Sequence, residues 1–369
     1  MIPLFDLSGQ YRKIKKEVDS AALRVLKSGW YILGKEVESF EKEFASYLGV
    51  KYAVGVASGT DALKIALKAL ELTSKDEVIL PANVYPTAFG VAESGVKIKL
   101  VDVDPHTYNI NPSEIERAIT RKTKAIIPVH LYGQAADMDS ILKIAQKYRL
   151  KVIEDCAQAH GAEYKDRKIG TIGDVNCFSF YPTKPLATYG DGGMIVTNNP
   201  QIYQRALLLR MYGEKRRYQS EILGDNSRLD ELQAAILRVK LKFLEDWNRE
   251  RKRKAAFYRE KLAKLREIIL PAEKFDHVYH LFVIRAQARE KLIEYLSQHK
   301  ILSGVHYPKP IHQVKSFAFL GYKKGDFPVS ERASREILSL PLYIGIKKGE
   351  ILEVAKRIRE FYKKRELLK

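Results

Sequence analysis

Between about residues 50 and 200, short runs of aliphatic and β-branched residues alternate with stretches whose apolar positions recur at helical spacing. The runs are Tyr52-Ala53-Val54-Gly55-Val56, Glu77-Val78-Ile79-Leu80, Lys97 to Asp102, Ala125 to Val129, and Lys151 to Asp155. Strands buried on both faces read as continuous apolar runs, so this alternation predicts an α/β fold with a mainly parallel sheet covered by helices. Ligands of such a sheet gather at the carboxyl ends of its strands. A long helical pattern follows from Glu231 to Glu260, after which Pro271 and a strand at Val278 to Ile284 open a differently organised segment. The boundary is expected near residue 245, giving a large domain of residues 1–245 and a smaller C-terminal α+β domain of residues 246–369. Tyr343 to Leu368 reads as a Lys/Glu-rich amphipathic helix after a break at Leu340-Pro341-Leu342.

The length of 369 residues agrees with two domains, because single cores tend to split beyond roughly 250 to 300 residues. A hydrophobic share of 46% with 30% charged residues describes a globular protein rather than a disordered or fibrous one. Cys156 and Cys177 sit in apolar segments without a pairing or zinc pattern, so a reducing, cytoplasmic setting is expected. The start, Met1 to Leu7, lacks a basic and apolar leader, and no run approaches the roughly 18 apolar residues that would span a bilayer. The formal charge of +19 raises nucleic acid as a partner. Lysines and arginines are interleaved with Glu, as from Glu245 to Lys264, and no helix-turn-helix, zinc or RNP signature is present. That pattern is a solvated face, and neither nucleic acid nor membrane is expected as a partner.

Three segments carry chemistry. The run Val54 to Ala57 leads into Ser58-Gly59-Thr60-Asp61-Ala62-Leu63, where small residues at a helix start let N–H groups approach an anion. The same residues also read as an ordinary N-cap after a glycine turn. Asp155 ends an apolar run, where a carboxylate can hold a heteroaromatic N–H or cap a helix. Phe178-Ser179-Phe180-Tyr181-Pro182-Thr183-Lys184 places a lysine among aromatics and proline, ahead of the Gly190-Asp191-Gly192-Gly193 turn. Partial desolvation there favours the neutral amine a Schiff base requires. Ser179 is close enough in sequence to supply a hydroxyl to the same anion, or else caps a strand end.

Together these elements resemble fold-type I pyridoxal phosphate (PLP) enzymes, and more narrowly the DegT/StrS family of nucleotide-sugar aminotransferases. The resemblance runs through Ser58 to Leu63, Pro81-Ala82-Asn83, Asp102-Val103-Asp104-Pro105, Ile127 to Gln134, Glu154-Asp155, Phe178-Ser179-Phe180 with Lys184, Gly190 to Gly193, Asn226 to Asp230, and Val305-His306-Tyr307-Pro308. It implies that Gly59, Thr60 and Ser179 bind the PLP phosphate, completed by Asn226 of the partner subunit. It also implies that Tyr85 stacks on the ring, Asp155 pairs with its nitrogen, Gln158 approaches its hydroxyl, and Lys184 carries the cofactor and shuttles the proton. Tyr181, Arg228, His306 and Tyr307 match substrate-contacting positions. Two departures stand out: Cys156 where Ala is common, and Pro185-Leu186-Ala187 where Asn-Leu-Gly is common. Relatives with histidine in place of the lysine are dehydratases, so Lys184 points to transamination.

The resemblance further implies a homodimer with shared sites, a glutamate donor, and a nucleotide-linked keto-sugar acceptor. The acceptor expected first is C3 of a dTDP-3-keto-6-deoxyhexose. UDP-linked 3-keto uronates, C4-keto sugars and a non-catalytic PLP-binding regulator are the alternatives. A dinucleotide oxidoreductase would need a G-x-G-x-x-G turn after the first strand, and Ser58 to Ala62 does not supply it.

Overall fold

The computed structural model describes residues 1–366. Its central sheet has seven strands: β1 (Tyr52–Val56), β2 (Glu77–Pro81), β3 (Lys97–Val101), β4 (Thr123–Ile126), β5 (Lys151–Asp155), β6 (Val175–Ser179) and β7 (Gly193–Thr197). Their order is β1-β7-β6-β5-β4-β2-β3. Only β7 runs antiparallel to its neighbours, β1 and β6, and the other pairings are parallel. One edge of the sheet therefore collects the carboxyl ends of six strands and the amino end of β7.

Both faces are covered, which explains the unbroken apolar runs. Along β5, Val152 joins one buried cluster with Phe40, Phe44 and Phe178, while Ile153 joins another with Leu63, Leu80 and Ile195. Strand periodicity sends successive side chains to opposite faces, so both must be apolar. Phe44 meets Phe178 edge-on at 5.0 Å and Phe180 at 5.6 Å, which fixes the strand leading to Lys184. Full burial of each such ring contributes about 1.5 to 3 kcal/mol.

Two helices present their first turns at the ligand edge. The Gly59–Ala69 helix starts at Ser58, whose Oγ accepts from Asp61 N–H at 3.1 Å. The Tyr85–Ser94 helix has Pro86 in its first turn, where no N–H is required, and stops at Gly95 with φ 84°. Gly90 lets the two helices touch: a Cβ there would lie 2.8 Å from Leu63 Cβ.

A second, antiparallel sheet comprises β8 (Ile268–Ile269), β9 (Phe282–Ala286) and β10 (Ile337–Leu340). Tyr258, Phe282, Leu338 and Ile358 pack its core with the Leu244–Leu262 and Lys348–Glu366 helices. Ile2 pairs with Ile301, which brings the chain's start onto this part of the fold.

Several boundaries differ from the sequence reading. β4 starts earlier and ends at Ile126, because Pro128 cannot donate to the ladder; Val129 makes only an isolated bridge to Asp155. The strand expected at Val278 starts at Phe282, since Tyr279 adopts φ 52°, outside extended geometry. The pattern from Glu231 to Glu260 is two helices, Glu231–Leu241 and Leu244–Leu262, separated where Phe243 N–H donates to Lys240 O at 3.0 Å in a tightened turn. The last helix begins at Lys348 rather than near Tyr343, and Leu368 of the expected span lies outside the described residues. No helix of the described residues is long and apolar enough to cross a membrane. Both cysteines are buried and free.

Candidate active site

The turn after β1 and the end of β6 meet at the ligand edge. A Cβ on Gly59 would lie 2.6 Å from Ser179 Cβ, and one on Gly193 would lie 2.3 Å from Ser58 O. Only glycine fits at either position, so three segments distant in sequence close into one concave wall. Asp61 N–H is taken by Ser58. Among the described residues, no acceptor takes the Gly59 or Thr60 N–H groups. Two backbone donors at a helix N-terminus, with the Thr60 and Ser179 hydroxyls nearby, make an anion cup.

Asp155 lies at the end of β5 and is buried. Its Oδ2 accepts from Thr87 Oγ1 at 2.7 Å and its Oδ1 from Ala157 N–H at 3.1 Å. Next to it, Glu154 is fully buried and accepts from Ile172 N–H at 2.7 Å, Gly173 N–H at 2.8 Å and His130 Nε2 at 3.0 Å. Burial would push Glu154 up, but His130 and those N–H groups outweigh it and hold the carboxyl below the usual range. His130 Nδ1 accepts from Ala136 N–H, so Nε2 carries the proton to Glu154. This network pins the strand end from which Asp155 projects. It engages His130 and Glu154 of the buried His130, Glu154 and Cys156 grouping in hydrogen bonds within the fold.

Gln158 Oε1 accepts from Tyr132 N–H at 2.8 Å, which turns its Nε2 to Tyr307 Oη at 3.3 Å. Tyr307 and Tyr85 meet edge-on at 5.1 Å. Burial and then Asp155 push the Tyr307 phenol above its ordinary value, so it stays protonated. Tyr132 Oη donates to the His306 carbonyl, and His306 Nδ1 lies 2.8 Å from Ser339 Oγ. Asp155, Gln158, Tyr85, His306 and Tyr307 are thus brought together at one mouth.

Lys184 N–H donates to Tyr181 O at 2.8 Å, closing the turn that presents the lysine. The residue is half-buried, but its amine is enclosed: burial pushes its pKa down to about 8, with the Asp155 carboxylate pulling the other way. At pH 7 roughly a tenth of it is then neutral, hundreds of times more than for an ordinary lysine. The following loop is held by Thr188, which bonds Phe180 O through both N–H and Oγ1, and by Lys240, whose Nζ donates to Ala187 O at 2.8 Å. Burial and then Lys184 push His306 down to about 4, so its imidazole is neutral at pH 7.

Asn226 is exposed, and Arg228 Nη1 donates to Met211 Sδ at 3.2 Å rather than to a carboxylate. Between them, Ser227 Oγ accepts from Ala57 N–H at 3.1 Å and donates to Asp61 at 2.8 Å, tying this loop beside the cup of its own chain. Tyr181 is 52% exposed. Among the described residues, no hydrogen bond joins the side chains of Asn226, Arg228 or Tyr181 to Lys184 or Asp155. The structure also adds residues that the sequence reading missed: Thr87, which donates to Asp155, and Tyr132, which fixes Gln158. Thr87 had one available signal, its place two residues after Tyr85 in a helix's first turn.

Residues 12–359 match the model of the DegT/DnrJ/EryC1/StrS aminotransferase family. The chain belongs to that family. Within it, a protein of Aneurinibacillus thermoaerophilus named dTDP-3-amino-3,6-dideoxy-alpha-D-galactopyranose transaminase is 46% identical over 364 residues, covering 98% of this chain and 99% of its own. A Geobacillus stearothermophilus protein named pleiotropic regulatory protein is 43% identical over 367 residues, covering 98% and 99%. The crystal structure of S. venezuelae DesV in complex with a ketimine intermediate superposes with a TM-score of 0.95 at 42% identity, covering 98% of each chain. The ordered motifs and the α/β sheet are those of the DegT/DnrJ/EryC1/StrS aminotransferases.

Proposed function

We propose that this chain uses pyridoxal 5'-phosphate to transfer an amino group from an amino acid, L-glutamate, to C3 of a dTDP-linked 3-keto-6-deoxyhexose. The observation that carries the reading is the enclosed Lys184 amine near the buried Asp155 carboxylate, at the sheet edge that also carries the anion cup. The likeness to the Aneurinibacillus transaminase supports the choice of sugar.

The residues fit the cofactor. The free Gly59 and Thr60 N–H groups and the Thr60 and Ser179 hydroxyls would hold its phosphate, and the glycines leave the space a Cβ would fill. When bound, PLP supplies an electron sink for the charge left at an amino acid's α-carbon. Asp155, oriented by Thr87 and Ala157, would accept the pyridine N–H and keep it protonated. Tyr85 would cover the ring, and Gln158, fixed by Tyr132, would face its hydroxyl. Lys184 anchors the cofactor; its amine, once free, removes the proton at the donor's α-carbon and later returns one at C3 of the sugar. A positioned base of this kind contributes roughly a hundred- to ten-thousand-fold in rate. His306 as a neutral imidazole and Tyr307 as a phenol offer hydrogen bonds to the sugar without repelling it. Tyr181 of the same chain, with Arg228 of the partner subunit, would complete that pocket, and the +19 charge suits a nucleotide diphosphate.

The site is shared between two copies in a cytoplasmic homodimer, each chain having a large domain of residues 1–245 and a small one of residues 246–369. Trp30, Tyr31 and Ile32 are 63%, 50% and 39% exposed, and they adjoin the Asn226–Asp230 loop through the Ile32 and Asp230 bridge. Contiguous exposed apolar surface marks an interaction site. Asn226 of the partner subunit would then complete the cup.

Purified protein should be yellow and should bleach when glutamate is added. A yellow protein that does not bleach with any amino acid would favour a non-catalytic PLP binder instead. The shared site has its own test, mixing inactive Lys184→Ala chains with inactive Arg228→Ala chains. Hybrid dimers carry one site with both residues intact, so activity should return after exchange of subunits. Hybrids shown to form yet remaining dead would overturn the shared site.

A further inference from the structure

Three arginines of the described chain are buried. Arg210 is paired with Glu41, and Arg289 with Glu290 at 2.7 Å. Arg251, 6% exposed on the Leu244–Leu262 helix, has no carboxylate within ion-pair distance among the described residues. Among the described residues its one hydrogen bond runs from Nη1 to Asn248 Oδ1 at 3.3 Å, and Asn248 in turn donates to the His160 carbonyl at 2.8 Å. A guanidinium taken out of water normally meets an anion.

Arg251 lines a recess with Lys184, His280, Gln10, Asp6 and Phe5. His280 is 5% exposed, and its Nδ1 has no hydrogen-bond partner among the described residues. Burial, and after it Lys184 and Arg251, push that imidazole well below its ordinary pKa, so it is neutral and can donate. The acids nearby are committed elsewhere. Asp6 accepts from Gly9 N–H at 2.8 Å and Ser8 Oγ at 2.9 Å, and Arg12 lies 3.6 Å away. Glu250 accepts from Gly345 N–H at 2.8 Å. Two cations, Lys184 and Arg251, thus share a recess whose own acids do not pair with Arg251.

We propose that this recess is the site where the carboxylate of the amino-acid donor binds, held by Arg251 with His280 beside it. The inference rests on the aminotransferase reading above and names the donor's subsite within it. Charge supports a carboxylate over the sugar. The recess is narrow where Arg251, His280 and Lys184 converge, and its unpaired polar groups there call for a small anionic group. The planar fork of an arginine matches a carboxylate with two parallel hydrogen bonds. Placement beside Lys184 would set the donor's amine where the lysine amine stands.

The test uses PLP-loaded full-length protein and follows bleaching of the cofactor band, which requires no nucleotide sugar. Arg251→Gln should bind glutamate roughly 30-fold or more weaker, Arg251→Lys should recover part of that loss, and dTDP affinity should not change. Glutamine and alanine as donors locate the carboxylate: loss with all three amino acids assigns the α-carboxylate to Arg251, and loss with glutamate alone assigns the side chain. Glutarate, which lacks an amine, should compete with glutamate in the native protein and bind more weakly to Arg251→Lys. This last arm stands if Arg251→Gln fails to fold. Wild type that does not bleach would defeat the aminotransferase reading. Wild type that bleaches while Arg251→Lys and Arg251→Gln keep native glutamate affinity, or glutarate that does not compete, would overturn the carboxylate site alone.

Discussion

Lys184→Ala should abolish turnover, by roughly ten-thousand-fold or more, while leaving secondary structure and subunit assembly intact. The effect is large because the proposed function gives Lys184 two roles that end at once, the covalent anchor of the cofactor and the base that moves the proton. Lys184→Arg should be equally dead, since it restores charge without a nucleophilic amine. Borohydride reduction followed by mass spectrometry should place the cofactor on Lys184, and labelling at another lysine would sink the assignment. pH offers a second check. Only the neutral amine reacts with PLP, so loading of the cofactor-free protein should quicken about tenfold per unit up to about pH 8 and then level off. Stability should follow the same shift. The folded chain holds Lys184 at about 8 against an ordinary 10.5, so between those values the unfolded chain binds more protons and wild type gains stability as pH rises. Lys184→Ala should lack that gain, and its chemical denaturation curve should be flatter across the window.

What the sequence reveals of this site follows from how locally each residue's environment is determined. Ser58 to Thr60, Asp155 and Ser179 are legible because each closes an apolar run, and the end of a buried strand in a parallel sheet is where a ligand sits. Lys184 is legible because aromatics and proline surround it within a few positions. Thr87 is not, since its bond to Asp155 joins residues 68 apart and nothing near either one announces the other. Arg251 is hidden for a different reason. It lies among Glu250, Lys252, Arg253 and Lys254, where the pattern reads as a solvated face, yet the helix turns that one cation inward. Strand limits slipped where a single backbone choice intervened, as with Tyr279 ahead of β9 and Pro128 after β4.

Asp155→Asn is expected to fold and to take up PLP, but to lose activity on the order of a hundred- to a thousand-fold, as for removal of a single preorganised electrostatic group. The substitution conserves shape. An asparagine oxygen can still accept from Ala157 N–H, and its amide can donate to the Thr87 hydroxyl, which accepts as well as donates. Glu154, with its own four partners, continues to pin the strand end. What is lost is the negative charge that keeps the ring nitrogen protonated, and an unprotonated ring is a poorer electron sink. The same charge also acts on Lys184, raising its pKa against burial. Its removal must therefore lower the Lys184 pKa below about 8, and the loading profile of Asp155→Asn should level off at a lower pH than wild type. A merely structural Asp155 would predict the opposite pattern: a drop in melting temperature with turnover per folded molecule near normal. Near-normal turnover in a well-folded Asp155→Asn, or a loading profile unmoved in pH, would remove Asp155 from the site.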